Sequence, residues 1–108
     1  VKREVNLNEG ITNDREVEGF LITNNYLYTE TRDDKTVSSK FTAIVNNNTG
    51  SDKEVKSFDI IFKDKDGKEI ITLLGYVGQT IPNGESRSIE SNVDIGLLDA
   101  YITNYKIR

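Results

Sequence analysis

Val37, Ser39, Phe41, Ala43 and Val45 occupy alternate positions, with Lys40 and Thr42 between them. A strand points successive side chains to opposite faces, so a two-residue period marks a segment with one dry face and one wet face. The period recurs along most of the chain. Phe20 and Ile22 alternate, Asn24-Asn25 interrupts, and Tyr26 and Tyr28 resume, which reads as a strand with a kink or bulge. Phe58, Ile60 and Phe62 share a face of a strand over 55–62. Residues 70–74 return as a strand that is apolar on both faces, and Gly75 and Gly78 around Tyr76-Val77 suggest a bend or bulge. Residues 86–92 form a polar strand anchored by Ile89, with Val93 just beyond it. Tyr101, Thr103, Tyr105 and Ile107 alternate at the end.

Turn chemistry separates these segments. Arg32-Asp33-Asp34-Lys35, the polar run 46–52, Asp66-Gly67 and Ile81-Pro82-Asn83-Gly84 all favour reversals. No helical period longer than one turn competes. The exception is 94–99, where Asp94 suits the N-cap of one short helical turn that would tuck Leu97 or Leu98 under the fold. The pattern predicts an all-β, immunoglobulin-like antiparallel β-sandwich of about seven strands over residues 20–108. Residues 1–19 are charged and poor in large apolar groups apart from Val5, Leu7, Ile11 and Val17, and read as an extended lead-in or an edge strand.

Composition agrees. Ile occurs 12 times and Ala twice in 108 residues, so β-branched side chains outweigh the best helix former. The net charge of −4 is spread over mixed signs, which leaves no basic footprint for nucleic acid and no polybasic run for anionic lipid. No apolar run approaches the length of a membrane span. The chain starts at Val1 without an initiator Met and reads as a piece of a longer precursor or a processed chain.

The chain has no Cys and no His, which excludes disulfides, serine–histidine triads and most zinc sites. Ser38-Ser39-Lys40 lacks the Ser-x-x-Lys spacing, and on a strand Ser39 and Lys40 face opposite ways. Asp64-Lys65-Asp66-Gly67-Lys68-Glu69 invites a calcium reading, but Phe62 stands where an EF-hand needs an acid, and no clamping Glu follows at the right distance. A solvated hairpin is the simpler account. The residues therefore point to no catalytic group, no metal ligand set and no cofactor. Tyr101 and Tyr105 read as core, and Tyr101 resembles the tyrosine corner of immunoglobulin-like sandwiches. Tyr26, Tyr28 and Tyr76 are the candidate ligand-binding residues, because tyrosine combines an apolar ring with a polar tip.

Four features also form a pattern from Phe41 onward. They are Val45-Asn46-Asn47 at a strand end, Phe62 before Asp64-Lys65-Asp66-Gly67, the Pro82-Asn83-Gly84 turn, and Tyr105-Lys106-Ile107 in the last strand. In this the chain resembles the FxLYD-type and related immunoglobulin-like domains of Gram-positive cell-envelope lipoproteins, with Phe62 in place of the usual Tyr. The resemblance implies a secreted or lipid-anchored protein at the cell surface, with the lipid anchor upstream of this chain. It transfers no catalytic residue. The expected role is a non-catalytic interaction or spacer module whose partner is a protein or a cell-wall component. The alternative is a calcium- or carbohydrate-dependent adhesion module.

Overall fold

The computed structural model describes residues 1–108. The elements run β1 (Lys2–Val5), α1 (Glu9–Thr12), β2 (Arg15–Val17), β3 (Phe20–Thr31), β4 (Val37–Asn47), β5 (Lys53–Lys63), β6 (Glu69–Ile81), β7 (Ser86–Val93) and β8 (Ile102–Ile107). They make an all-β sandwich of eight strands. One sheet has the order β1-β3-β4-β7, with β2 also on β3; the other has the order β6-β5-β8. Every pairing is antiparallel. The links β4–β5, β6–β7 and β7–β8 each pass from one sheet to the other.

The alternate residues read from the sequence supply the inner layer. Phe41, Ala43 and Val45 of β4 face Phe58, Ile60 and Phe62 of β5, all of them buried. Two edge-to-face aromatic pairs join the sheets: Phe20 to Phe58 at 5.2 Å and Phe41 to Phe62 at 5.4 Å between ring centres. Such pairs add about 1 kcal/mol each beyond the area they bury.

The Asn24-Asn25 interruption is a bulge. Three steps on β3 oppose two on β4 between Thr23 and Tyr26, and Asn24 takes a positive φ of 54°. One extra residue reverses the phase of a strand. Phe20 and Ile22 therefore point inward before the bulge, whereas Leu27 and Thr29 point inward after it. Tyr26 and Tyr28 are delivered to the outer face as a result.

The β3–β4 and β5–β6 hairpins close with the same bonds. Arg32 N–H meets the Thr36 carbonyl and Asp64 N–H meets the Lys68 carbonyl, both at 2.9 Å. The left-handed position is Gly67 in one and Lys35 in the other. Glycine is the residue that takes this conformation without strain.

Residues 1–19 form two edge strands and a helical turn. β1 and β2 share the free side of β3, and α1 between them sends Ile11 fully into the core. The turn lies against β8 so closely that a Cβ on Gly10 would collide with the Tyr101 carbonyl oxygen. Arg15 fastens the same contact by donating to the Thr103 carbonyl at 2.6 Å.

The helical turn expected over 94–99 is not formed. That segment contains bends and a β-turn in which Ala100 N–H reaches the Leu97 carbonyl at 3.2 Å. Distant partners take the groups that a helix would have paired. Leu97 N–H donates to Thr29 Oγ1, Thr29 bonds Ser39 Oγ at 2.8 Å, and Ser39 Oγ donates to the Ile95 carbonyl at 2.7 Å. Leu97 is buried as expected, and Leu98 is exposed.

Candidate functional site

With their phase set by the bulge, Tyr26 and Tyr28 lie side by side on the outer face of the five-stranded sheet. Their ring centres are 5.9 Å apart and tilted by 57°. The ladder continues each row across the face: Tyr26, Thr42 and Glu90 in one, Tyr28, Lys40 and Asn92 in the next. From β1, Arg3 lays its guanidinium 4.2 Å from the centre of the Tyr28 ring, a cation–π contact, and bonds Glu30 at 3.1 Å. The Glu30 hydrogen bond, with Tyr28 second, raises the Arg3 pKa above its ordinary value. Lys40 pairs with Glu90, whose hydrogen bond raises the Lys40 pKa. The result is an aromatic platform whose flanking charges are paired off. Tyr26 is its exposed aromatic surface, and Tyr28 is held beneath Arg3.

Tyr76 does not join this pair. It lies on β6 in the other sheet, beside exposed Leu74, and its phenol folds over Gly78 in the space a side chain would fill. Tyr101, expected in the core as a tyrosine corner, is exposed instead. It precedes β8, and Ala100 and Leu97 of the preceding turn occupy the buried positions.

The acidic loops turn their oxygens on their own backbone. Asp64 Oδ1 accepts from Asp66 and Lys68 N–H at 2.9 and 3.0 Å. Asp34 Oδ1 accepts from the Thr36 hydroxyl and N–H, and these bonds lower its pKa below the ordinary carboxylate value. No group of three acidic side chains gathers in a geometry that could hold a metal ion.

Among the polar contacts that the sequence does not announce, two join a buried side chain to a distant strand or terminus. Asp59 of the central strand β5 is covered on the outer face, where Arg108 Nε donates to its Oδ2 at 2.5 Å and Ser57 Oγ to its Oδ1 at 3.3 Å. An Asp set between Phe58 and Ile60 was the available signal. The second contact is between Tyr105 and Asn25: the phenol donates to Asn25 Oδ1 at 2.6 Å. Burial pushes the Tyr105 pKa up to about 12.

That shift predicts an alkaline transition. The folded value lies above the unfolded value near 10, so the neutral phenol is the form the fold favours. Its contribution is fully present below about pH 10 and is lost as pH climbs toward 12, on the order of 2–3 kcal/mol in all. An ultraviolet titration of phenolate formation should show one late step that disappears in Tyr105→Phe. A late step unchanged by that substitution would refute the assignment.

No family model, curated protein or solved structure matches the chain. No helix is long and apolar enough to cross a membrane.

Proposed function

We propose that this chain is a non-catalytic interaction or spacer module of a secreted or lipid-anchored bacterial surface protein, working through the outer face of its five-stranded sheet. The observation that carries the reading is the Tyr26–Tyr28 pair braced by Arg3, the one aromatic pair on the outside of the sandwich. A rigid, charge-neutral aromatic platform suits stacking against a partner with little ordering cost.

The surface-protein part of the reading is supported by the FxLYD-type resemblance. The residues behind that resemblance serve the fold: Asn47 and Pro82-Asn83-Gly84 sit at the two crossings next to β4 and β7, Asp64 closes a hairpin, and Tyr105 anchors β8 to β3. The carbohydrate form of the adhesion alternative draws on the same tyrosines, because sugar rings stack on aromatic faces. The calcium form draws little support, since the oxygens of Asp34 and Asp64 are engaged in their own turns.

Calorimetric titration of the chain with soluble cell-wall glycan fragments, with and without calcium, tests the reading. Binding that weakens about tenfold in Tyr26→Ala and is unchanged in Tyr76→Ala is the expected result. Flat titrations against glycans and against intact cell walls would remove the interaction role and leave only the spacer.

A further inference from the structure

The sandwich has four lateral edges, and three carry protection against pairing with another chain. β1 presents Lys2, Arg3 and Glu4, and β2 presents Arg15 and Glu16. β7 presents Arg87 and Glu90. β8 carries Lys106, and its first half is covered by α1, with Arg15 bonded to the Thr103 carbonyl. Charges and covering segments are the usual devices that keep edges from adding strands.

β6 has neither. From Ile70 to Ile81 it contains no charged residue and no proline. It ends its sheet, in the order β6-β5-β8, and its backbone bonds run only to β5. None of the backbone bonds outside the ladders involves residues 70–80. Alternate N–H and C=O groups along this strand are therefore open on the side away from β5. The same strand also displays two of the most exposed apolar side chains in the molecule, Leu74 at 53% and Tyr76 at 67%, both on its outer face.

From this we infer that β6 pairs antiparallel with β6 of a second copy of this chain. The partner is a second copy because the strand is self-complementary. A pairing centred anywhere within the uncharged run 70–81 meets its own image without setting like charges opposite each other. The register follows from the bulges. β6 is regular from Ile71 to Tyr76, until the irregularity between Tyr76 and Gln79, where Gly78 takes a φ of +65°. A two-fold axis through Leu74 uses that run. It sets Leu74 against its own copy and Thr72 against Tyr76, all on one face, and joins two three-stranded sheets into one continuous sheet.

The chain has no Cys, so Leu74→Cys carries a single thiol per molecule. Across the axis, paired Cα atoms stand roughly 4.5–5.5 Å apart, within disulfide range. Mild oxidation of Leu74→Cys should give covalent dimer rapidly. Asn92→Cys, on the outer face of the opposite sheet, should not. Sedimentation equilibrium of the unmodified chain should show a concentration-dependent dimer. Leu74→Lys, at a half-exposed position that folding tolerates, should raise the dissociation constant at least about tenfold with an unchanged circular dichroism spectrum. A chain that stays monomeric up to its solubility limit overturns the inference, whether or not it captures an extended peptide from another protein. A dimer untouched by Leu74→Lys overturns it too.

Discussion

Replacing Asn47 with Ala is expected to lower the stability of the fold by about 2–4 kcal/mol, as much as truncating a buried aliphatic core residue. Asn47 is completely buried at the end of β4. Its Nδ2 donates to the Ser51 carbonyl at 2.9 Å and to the Ile81 carbonyl at 2.8 Å. Its Oδ1 accepts from Thr49 N–H at 3.0 Å and from the Thr49 hydroxyl at 2.7 Å. Its backbone closes the next turn, with N–H to the Glu85 carbonyl and C=O from Gly84 N–H. One side chain thus holds both the β4–β5 crossing and the end of β6. Alanine would strand the buried Ile81 carbonyl, at about 1–3 kcal/mol, and would take away the acceptor of the half-buried Thr49 N–H and hydroxyl at a smaller cost. Chemical denaturation with the slope unchanged is the measurement. Asn46→Ala is the control, since Asn46 is only half-buried and bonds Leu21 and Thr23 near the surface. A loss at Asn47 no larger than at Asn46 would show that the crossings hold by other means.

Ile11→Ala should cost about 2–4 kcal/mol, the range for truncating a fully buried aliphatic side chain. Ile11 has no solvent exposure and belongs to the same core as Phe41 and Phe58. The segment around it is tied down independently. Asn6 Nδ2 donates to the Leu97 and Ala100 carbonyls at 3.1 and 2.8 Å, and Asn8 Nδ2 donates to Ala100 at 2.9 Å. The cavity left by Ala could therefore collapse only partly, which is what makes such truncations expensive. Leu7→Ala, four residues earlier and 77% exposed, should change stability by less than about 0.5 kcal/mol. Thermal or denaturant unfolding of the two variants side by side decides the matter. Similar losses at both positions would mean that α1 does not plug the core in solution.

The contrast between these two residues shows where the sequence was readable. β4 and β5 repeat apolar residues at every second position over enough length that the inner face could be named residue by residue. Gly67, Pro82-Asn83-Gly84 and the Asn24-Asn25 interruption announced their turns and bulge because each needs a backbone conformation that few residues take. Ile11 had no periodic company, so nothing local distinguished a core residue from an apolar residue in a linker. Asn47 looked like one more polar residue in a turn. Its importance lies in partners 34 positions away at Ile81, as that of Asn6 lies 91 positions away at Leu97. The tyrosines divide in the same way. Their strands were legible, but the faces they occupy were not. One extra residue at the bulge sent Tyr26 and Tyr28 outward together, and membership of the other sheet separated Tyr76 from them.

The sequence by itself determined the strands, their turns and most of the inner layer, because those depend on period and local backbone preference, which are written in neighbouring residues. Tertiary structure alone decided which side of each sheet lies open, which polar side chains are enclosed, and that residues 1–19 complete the core. Those outcomes depend on which distant segments meet, and a one-dimensional pattern carries no measure of that distance.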